Sequence, residues 1–426
     1  MPVPSFLSLC RRFPSAFALL AIVACGGHAS GVTGSGSSSG TSSGVSAGAS
    51  TGASVGVSSG TITGSGSSSP DAGVDAGVAV PPSCAPGGPG MTNCGPGGSG
   101  TESCCTSLGV TGGTYYRTYD LDVSTGVETL SADGGPTGEA DPATVSSFRL
   151  DKYLVTVGRF RQFVNAWNGG NGYTPQAGSG KHSYLNGGQG LVNVGGDAGV
   201  TYETGWVVTD DSNIAPTNTN LTDDACQAIA VTWTPSAGSQ ESLPINCVNW
   251  YESYAFCIWD GGFLPSEAEW EYAAAGGSQQ REYPWGTTDP GTGNQYAIYG
   301  CNYPSSDSGA GTTVPGSDSG SCTGVANIAP VGTATLGAGL WGQLDLAGEV
   351  YEWNLDWDGT YVDPCTDCAN LMAAPAPTPP ASYRVVRGGS FFFFVDPASY
   401  LLPPSRGGVP PAGRGGLIGF RCARRP

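Results

Sequence analysis

Histidine is nearly missing from this chain: of 426 residues only His28 and His182 carry an imidazole. A metal centre built on several histidines therefore cannot be assembled within one copy. Basic residues are scarce too, 16 Lys and Arg against 34 Asp and Glu, a formal net charge of -18. Without Arg11 and Arg12 the balance is 14 basic against 34 acidic, or -20. Nucleic acid is excluded as a partner on that ground, since phosphate contacts need a basic face. Charged residues make up 12%, little for a cytosolic protein. From Gly26 to Pro82 there is no Lys, Arg, Phe, Tyr or Trp. Such a stretch buries too little apolar surface to offset its ordering entropy. Gly, Ser, Thr, Ala and Val fill it, with a short repeat from Asp71 to Val78. Residues 25–83 thus read as a flexible tether with a root-mean-square span of roughly 40 Å and no chemistry of its own. The uneven spread of Gly and Ser argues against one globule spanning the whole length.

What precedes the tether has a different character. Arg11 and Arg12 stand before an apolar run, Phe13 to Ala24. That run is too short to cross a bilayer, which takes about 20 residues. A basic start and a short apolar core read as a secretory signal over residues 1–24. The run ends Ile22-Val23-Ala24-Cys25, which resembles the lipobox of bacterial lipoproteins. The resemblance implies cleavage before Cys25 and acylation of its sulfur, so that the membrane is a partner through a lipid anchor. The alternative is an ordinary signal peptide with a chance cysteine. Gly26 offers no acidic retention residue, and by analogy with bacterial sorting the expectation is a cell-envelope lipoprotein of the outer membrane or cell surface.

Twelve of the 14 cysteines follow Cys25, and export to an oxidising space makes disulfides their default state. Cys84, Cys94, Cys104 and Cys105 lie in a Gly/Pro-rich segment, residues 84–112, with almost no apolar residues. It reads as a small disulfide knot. A zinc knuckle is the alternative, disfavoured by the lack of paired CxxC spacings. Cys365-Thr-Asp-Cys368 is a lone CxxC without a βαβ pattern around it, which favours a structural loop disulfide over a redox pair.

Beyond Gly113 the aromatic content rises, and all ten tryptophans lie there. Residues 113–426 have the means to build a core. In Thr156–Trp167, Phe160, Phe163, Val164 and Trp167 recur at helical spacing behind Thr156 as N-cap. Asn249 with Glu252, and Ser266 with Glu269, are capping boxes opening helices over Asn249–Asp260 and Ser266–Ala275, each stopped by glycine. Strand-like runs are Phe148–Val155, Ala329–Thr333, Arg384–Val395 and Leu417–Ala423. The class is α+β, low in regular structure, with long loops that need disulfides or metal ions to hold them.

Several segments, in order, resemble the formylglycine-generating enzyme family of sulfatase-modifying factors. They are Gly113-Thr-Tyr-Tyr, Phe148-Arg-Leu-Asp-Lys-Tyr-Leu-Val-Thr156 and Leu243-Pro-Ile-Asn-Cys-Val-Asn-Trp250. Leu264-Pro-Ser-Glu-Ala-Glu-Trp-Glu-Tyr272, Tyr283-Pro-Trp-Gly286 and Leu344-Asp-Leu-Ala-Gly-Glu-Val-Tyr-Glu-Trp353 follow. Arg387-Gly-Gly-Ser390 and Gly419-Phe-Arg-Cys422 complete the set. The resemblance implies a modified C-type-lectin-like fold. It also implies copper-dependent oxidation of a client sulfatase cysteine to formylglycine, with Cu(I) held by two thiolates just after the Gly-Gly-Ser turn.

Here the chain departs from the family pattern. The two copper-cysteine positions fall on Phe393 and Ala398, and no cysteine lies between Cys368 and Cys422. Copper is not expected, and no catalytic residue is assigned. The family's iron-dependent sulfoxide chemistry needs histidine ligands that His182 alone cannot supply. Ser390 resembles the pocket serine and, with Phe393, marks the old pocket; the plain alternative is a turn hydroxyl. Phe391–Phe394 either line a binding groove or alternate between the core faces of a strand.

Other family features carry over by resemblance. Cys257 and Cys422 match a disulfide joining a helix to the last strand, whereas a second family bridge is missing because Ala274 stands in its place. Cys226/Cys247 and Cys301/Cys322 would clamp loops instead, with connectivity open. Asp345 and Glu352 match the side-chain ligands of a structural calcium site, and Gly348 and Val350 its carbonyl ligands, a hard-oxygen set suited to Ca²⁺. A second calcium site is not claimed, because Thr323 stands where its Asp would be. The expectation is a binding or scaffold module for a peptide, glycan or protein. The alternatives are a sulfatase-modifying oxidoreductase, another enzyme using the same pocket, or a structural envelope protein.

Overall fold

A computed structural model describes residues 80–85, 94–95, 101–119, 121–122, 127–128, 139–195, 200–222, 226, 230–304, 324–372, 382–392 and 400–426. The leader, Cys25 and the tether up to residue 79 lie outside the described residues, as do Cys322, Phe393 and Ala398.

Three helices carry the main core. The first, α1 (Val157–Trp167), opens at Thr156, whose hydroxyl accepts the Arg159 N–H. Phe160 and Phe163 are fully buried. Arg159 and Arg161 on the same helix are buried as well, so α1 is enclosed on more than its apolar face. Helix α2 (Trp250–Trp259) and helix α3 (Glu267–Ala274) each begin with a capping box in which both reciprocal bonds form. Such boxes satisfy two otherwise orphaned N–H groups. Gly261 and Gly276, at φ 81° and 65°, turn the chain out of α2 and α3, a conformation that costs glycine nothing.

Aromatic rings fill the centre. Phe160 stacks on Phe256 at 5.8 Å between centroids, and Phe420 meets Phe256 edge-on at 5.4 Å. Beside them a disulfide joins Cys257 of α2 to Cys422 across 165 residues of chain. Cys226 and Cys247 are joined likewise, and Cys301 is disulfide-bonded, its expected partner Cys322 lying outside the described residues.

The strands are short and belong to several small sheets. Strands β1 (Ser107–Val110) and β4 (Phe148–Asp151) pair antiparallel, and Ala423–Arg424 completes that sheet. Strands β2 (Gly113–Tyr119) and β3 (Glu139–Val145) form an antiparallel pair joined by Cys365–Thr366. The four-stranded sheet runs β7 (Arg406–Val409), β6 (Arg384–Arg387), β5 (Tyr351–Trp357), then Ile418–Gly419.

All four strand expectations change. Phe148–Val155 stops at Asp151, and the run 329–333 forms a turn, with no strand. Leu417–Ala423 splits into two pieces in different sheets. Among the described residues, Arg384–Val395 ends at Arg387, because Gly388 and Gly389 take φ of 94° and 72° and leave the sheet.

The Cys-rich segment, with disulfides Cys84–Cys105 and Cys94–Cys104, docks on this body through a buried charge. Arg159 spans Asp151 and Asp260 at 3.0 and 2.7 Å. Its remaining donors go to Ser83 Oγ and the Cys104 carbonyl. A buried guanidinium is tolerated when each donor is matched in this way.

Candidate functional site

The site is built around the turn that follows β6. Gly389 brings the backbone too close to its neighbours for a side chain: a Cβ there would lie 2.7 Å from the Tyr400 carbonyl oxygen. Ser390 comes next and is only 1% exposed, so it does not open onto solvent. Its hydroxyl accepts the Phe392 N–H at 3.4 Å, the turn role noted above as the plain alternative. Phe391 is buried in the main core, and Phe392 packs against it partly exposed. The described half of the phenylalanine run therefore serves packing.

A loop of carboxylates lies against this turn. Gly348 N–H donates to the Gly388 carbonyl at 2.7 Å, and Phe391 N–H to the Glu349 carbonyl at 2.8 Å. Asp345 and Glu349 both hold φ of 58°, a left-handed conformation that costs a residue with a Cβ about 1–2 kcal/mol. Asp345 accepts the Gly332 N–H on Oδ2 at 2.7 Å, while its Oδ1 is buried without a partner among the described residues. Glu349 accepts the Ala329 N–H on Oε2, and its Oε1 is likewise buried and unpartnered. Burial pushes the Asp345 carboxyl up to about 6, against the pull of Arg421. Burial, with Asp345 beside it, pushes Glu349 well above the usual carboxylate range. Glu352 differs: Arg421 grips it with two bonds, 2.6 and 2.9 Å, and donates also to the Asp345 carbonyl. Of the side chains in the sequence-derived calcium set, Asp345 keeps a free oxygen and Glu352 is already neutralised. Glu349 was missed. Its signal was density, three acids within eight residues of a chain poor in charge.

A second charged group joins residues far apart in the sequence. Arg387 inserts between Glu267 and Glu271, which stand one turn apart on α3. Arg406 reaches Glu267 from β7, and Tyr361 lies between the Arg117 and Arg406 guanidinium groups at 4.3 and 4.7 Å. Burial raises Glu271 to about 8, against Arg387 and helped by Glu267. Burial and Glu267 raise Asp356 to about 7. Near-neutral buried carboxyls are what acid–base chemistry uses. The adjoining cavity, lined by Arg117, Glu267, Asp356, Tyr361 and Arg406, is however only about 10 Å³. That holds roughly one water molecule, not a substrate.

All eleven described cysteines are in disulfides, so none is a thiol. Among the described residues no helix is long and apolar enough to cross a membrane.

The sequence of residues 97–426 matches a family described as the sulfatase-modifying factor enzyme 1-like domain. A formylglycine-generating enzyme of Bos taurus is 26% identical over 318 residues, 71% of this chain and 74% of that protein. One of Thermomonospora curvata is 29% identical over 306 residues, 68% of this chain and 86% of that protein. A protein of Bos taurus named inactive C-alpha-formylglycine-generating enzyme 2 is 29% identical over 194 residues, 44% of this chain and 53% of its own length.

Proposed function

Because the chain belongs to the sulfatase-modifying factor enzyme 1-like family, we propose that it is an exported, lipid-anchored member that keeps the family's frame, lacks its copper site and works as a binding or scaffold module. Its fold is the modified C-type-lectin-like one of that family, α+β, with little regular structure and long disulfide-clamped loops. One observation carries the functional reading. The copper-cysteine positions after Ser390 fall on Phe393 and Ala398, with no cysteine between Cys368 and Cys422. Cu(I) takes soft sulfur ligands, and neither a phenyl ring nor a methyl group supplies one. The disulfide state of the described cysteines supports the same reading, since thiolates borrowed from elsewhere would have to come out of those bridges. The ligand of such a module would be a peptide, a glycan or a protein, and Cys25 would hold it to the membrane.

A second reading, oxidation of a client cysteine to formylglycine, is favoured by identities of 26 and 29% to proteins of that name. Titrating Cu(I) into the purified protein beside a cysteine-containing sulfatase peptide separates the two. The expected outcome is no stoichiometric copper binding and no aldehyde. Copper binding at one equivalent, with oxygen uptake and aldehyde product, would put the second reading in place of the first.

The loop under the turn fits a hard cation in its donor chemistry. Asp345 Oδ1 and Glu349 Oε1 are buried oxygens lacking a donor among the described residues, and paired unmatched carboxylates are costly unless a cation or proton joins them. A calcium ion would be held by Asp345 and Glu349 with the Gly348 and Val350 carbonyls, while Glu352 stays with Arg421. The ion would pin the loop to the Ser390 turn and supply no chemistry.

A further inference from the structure

Of the described cysteines, all of them disulfide-bonded, only Cys84 and Cys105 are not buried, and they are joined to each other. In Cys94–Cys104, Cys226–Cys247, Cys257–Cys422 and Cys365–Cys368 every cysteine is at most 2% exposed. Thiol–disulfide exchange requires a thiolate to reach a sulfur, so access selects among bridges that are otherwise alike. Cys84 stands between Pro82 and Ala85, both exposed. Ser103 Oγ donates to Cys84 Sγ at 3.9 Å, and that contact lies at exposed surface. An incoming thiolate therefore has a way to this bridge and not to the other four.

The two sulfurs are not equivalent. Cys105 Sγ lies 3.2 Å from the hydroxyl of Ser83, a residue with no solvent exposure. That hydroxyl accepts the Arg159 Nε–H at 3.0 Å, and the Ser83 N–H donates to Asp260 Oδ1 at 2.9 Å. Ser83 is thus fixed through both its main chain and its side chain. Its hydroxyl hydrogen has Cys105 Sγ and Asp260 as acceptors. A disulfide sulfur is a weak acceptor, whereas a thiolate is a strong one. Cleavage would turn the Ser83–Cys105 contact into a charge-assisted bond. Exchange is faster when the departing thiolate is stabilised. Cys105 is accordingly the leaving sulfur and Cys84 the one attacked.

We propose that Cys84 is a thiol-exchange site for a dithiol, and that Ser83 directs the reaction by holding the Cys105 thiolate. The first thiolate of the dithiol attacks Cys84 Sγ. The Cys84–Cys105 bond breaks, its electron pair goes to Cys105, and a mixed disulfide joins Cys84 to the dithiol. The second thiol, deprotonated, attacks its own partner sulfur in that mixed disulfide and releases the Cys84 thiolate. The dithiol ends as a disulfide. Its two electrons and two protons pass to the pair, which becomes two thiols. A single thiol does not suffice. Ser83 keeps the Cys105 thiolate beside Cys84, where it would attack the mixed disulfide and expel the thiol again. Once the pair is open, the segment before Cys84 keeps the Ser83 bonds but loses its covalent tie to Cys105. The reaction thereby loosens the entry of the chain into the folded body. No residue of the Ser390 turn takes part, so the site stands whether or not copper chemistry survives there.

The test uses the full purified, oxidised chain without denaturant, with dithiothreitol and glutathione as probes. Reactions are quenched with N-ethylmaleimide and the cysteine peptides read by mass spectrometry. Dithiothreitol should open Cys84–Cys105 at least about tenfold faster than the other four bridges. Equal rates would overturn the site. Glutathione at the same thiol concentration should open it at least about tenfold more slowly than dithiothreitol. Equal opening by both would overturn the dithiol assignment. Early in the glutathione reaction the adduct should sit on Cys84 and N-ethylmaleimide on Cys105; the reverse placement would overturn the direction of attack. Ser83→Ala should slow opening by dithiothreitol at least about threefold, whereas mere loosening of the segment would speed it. An unchanged or faster rate would remove Ser83 from the reaction. Should S83A fail to fold, the wild-type adduct decides: on Cys84 it supports the assignment, on Cys105 it sinks it.

Discussion

His182 is the one histidine of the folded body, and it bears no ligand role. Its ring is fully buried, with Nδ1 3.0 Å from Glu203 and Nε2 3.0 Å from Glu269. Burial opposes its charge, but Glu269 and Glu203 outweigh that cost and hold the imidazole up at about 10. The folded value is raised above the ordinary 6.5 or so. Its contribution to stability is therefore complete below about pH 6.5 and is lost as pH rises through about 10. Chemical denaturation between pH 6.5 and 10 should show a steady fall in stability, and the His182 imidazole should still read as protonated by NMR at pH 8. A ring that deprotonates near 6.5 would refute the ion triad. Replacing His182 by Phe leaves two buried carboxylates without their cation and should cost about 3–5 kcal/mol. The pairing was not readable in advance, since Glu203 and Glu269 stand 21 and 87 residues away.

Helix starts were readable because a capping box is written within four residues, and all of its bonds are local. The loop under the turn was readable only in part. Its glycine is forced: Gly348 has φ 83°, and a Cβ there would lie 2.3 Å from the Ile298 carbonyl oxygen, a backbone atom with nowhere to go. Gly348→Ala should thus lose about 2 kcal/mol or more, measured by urea unfolding, from the left-handed strain plus that overlap. Unchanged stability would mean the loop is free to move. What could not be read was the far side of each element. Arg387 was visible as a motif residue, but its carboxylate partners on α3 lie 116 and 120 residues earlier in the chain. The i, i+4 spacing of Glu267 and Glu271 was the available sign, and it gained meaning once β6 was laid beside α3.

The molecule as a whole is held by scattered fastenings more than by long regular elements: disulfides, buried arginine pairs and the carboxylate loop. If the loop binds calcium, the folded state gains about 2.7 kcal/mol at a calcium concentration a hundredfold above Kd. Thermal unfolding should then shift upward with calcium and return on adding chelator; a transition indifferent to both would remove the ion from Asp345 and Glu349. Some properties needed no coordinates. Composition alone made an acidic, histidine-poor chain, because those properties follow from counting side chains. Local chemistry marked the caps and the glycine turns, and the sequence has no cysteine between Cys368 and Cys422. Folding settled the rest: that Ser390 is sealed, that Arg421 already holds Glu352, that Glu349 faces Asp345 and that Arg384 meets no ion-paired carboxylate among the described residues. Each of those depends on which distant groups share a dry interior, where an unmatched charge is costly and contact, not order along the chain, sets its energy.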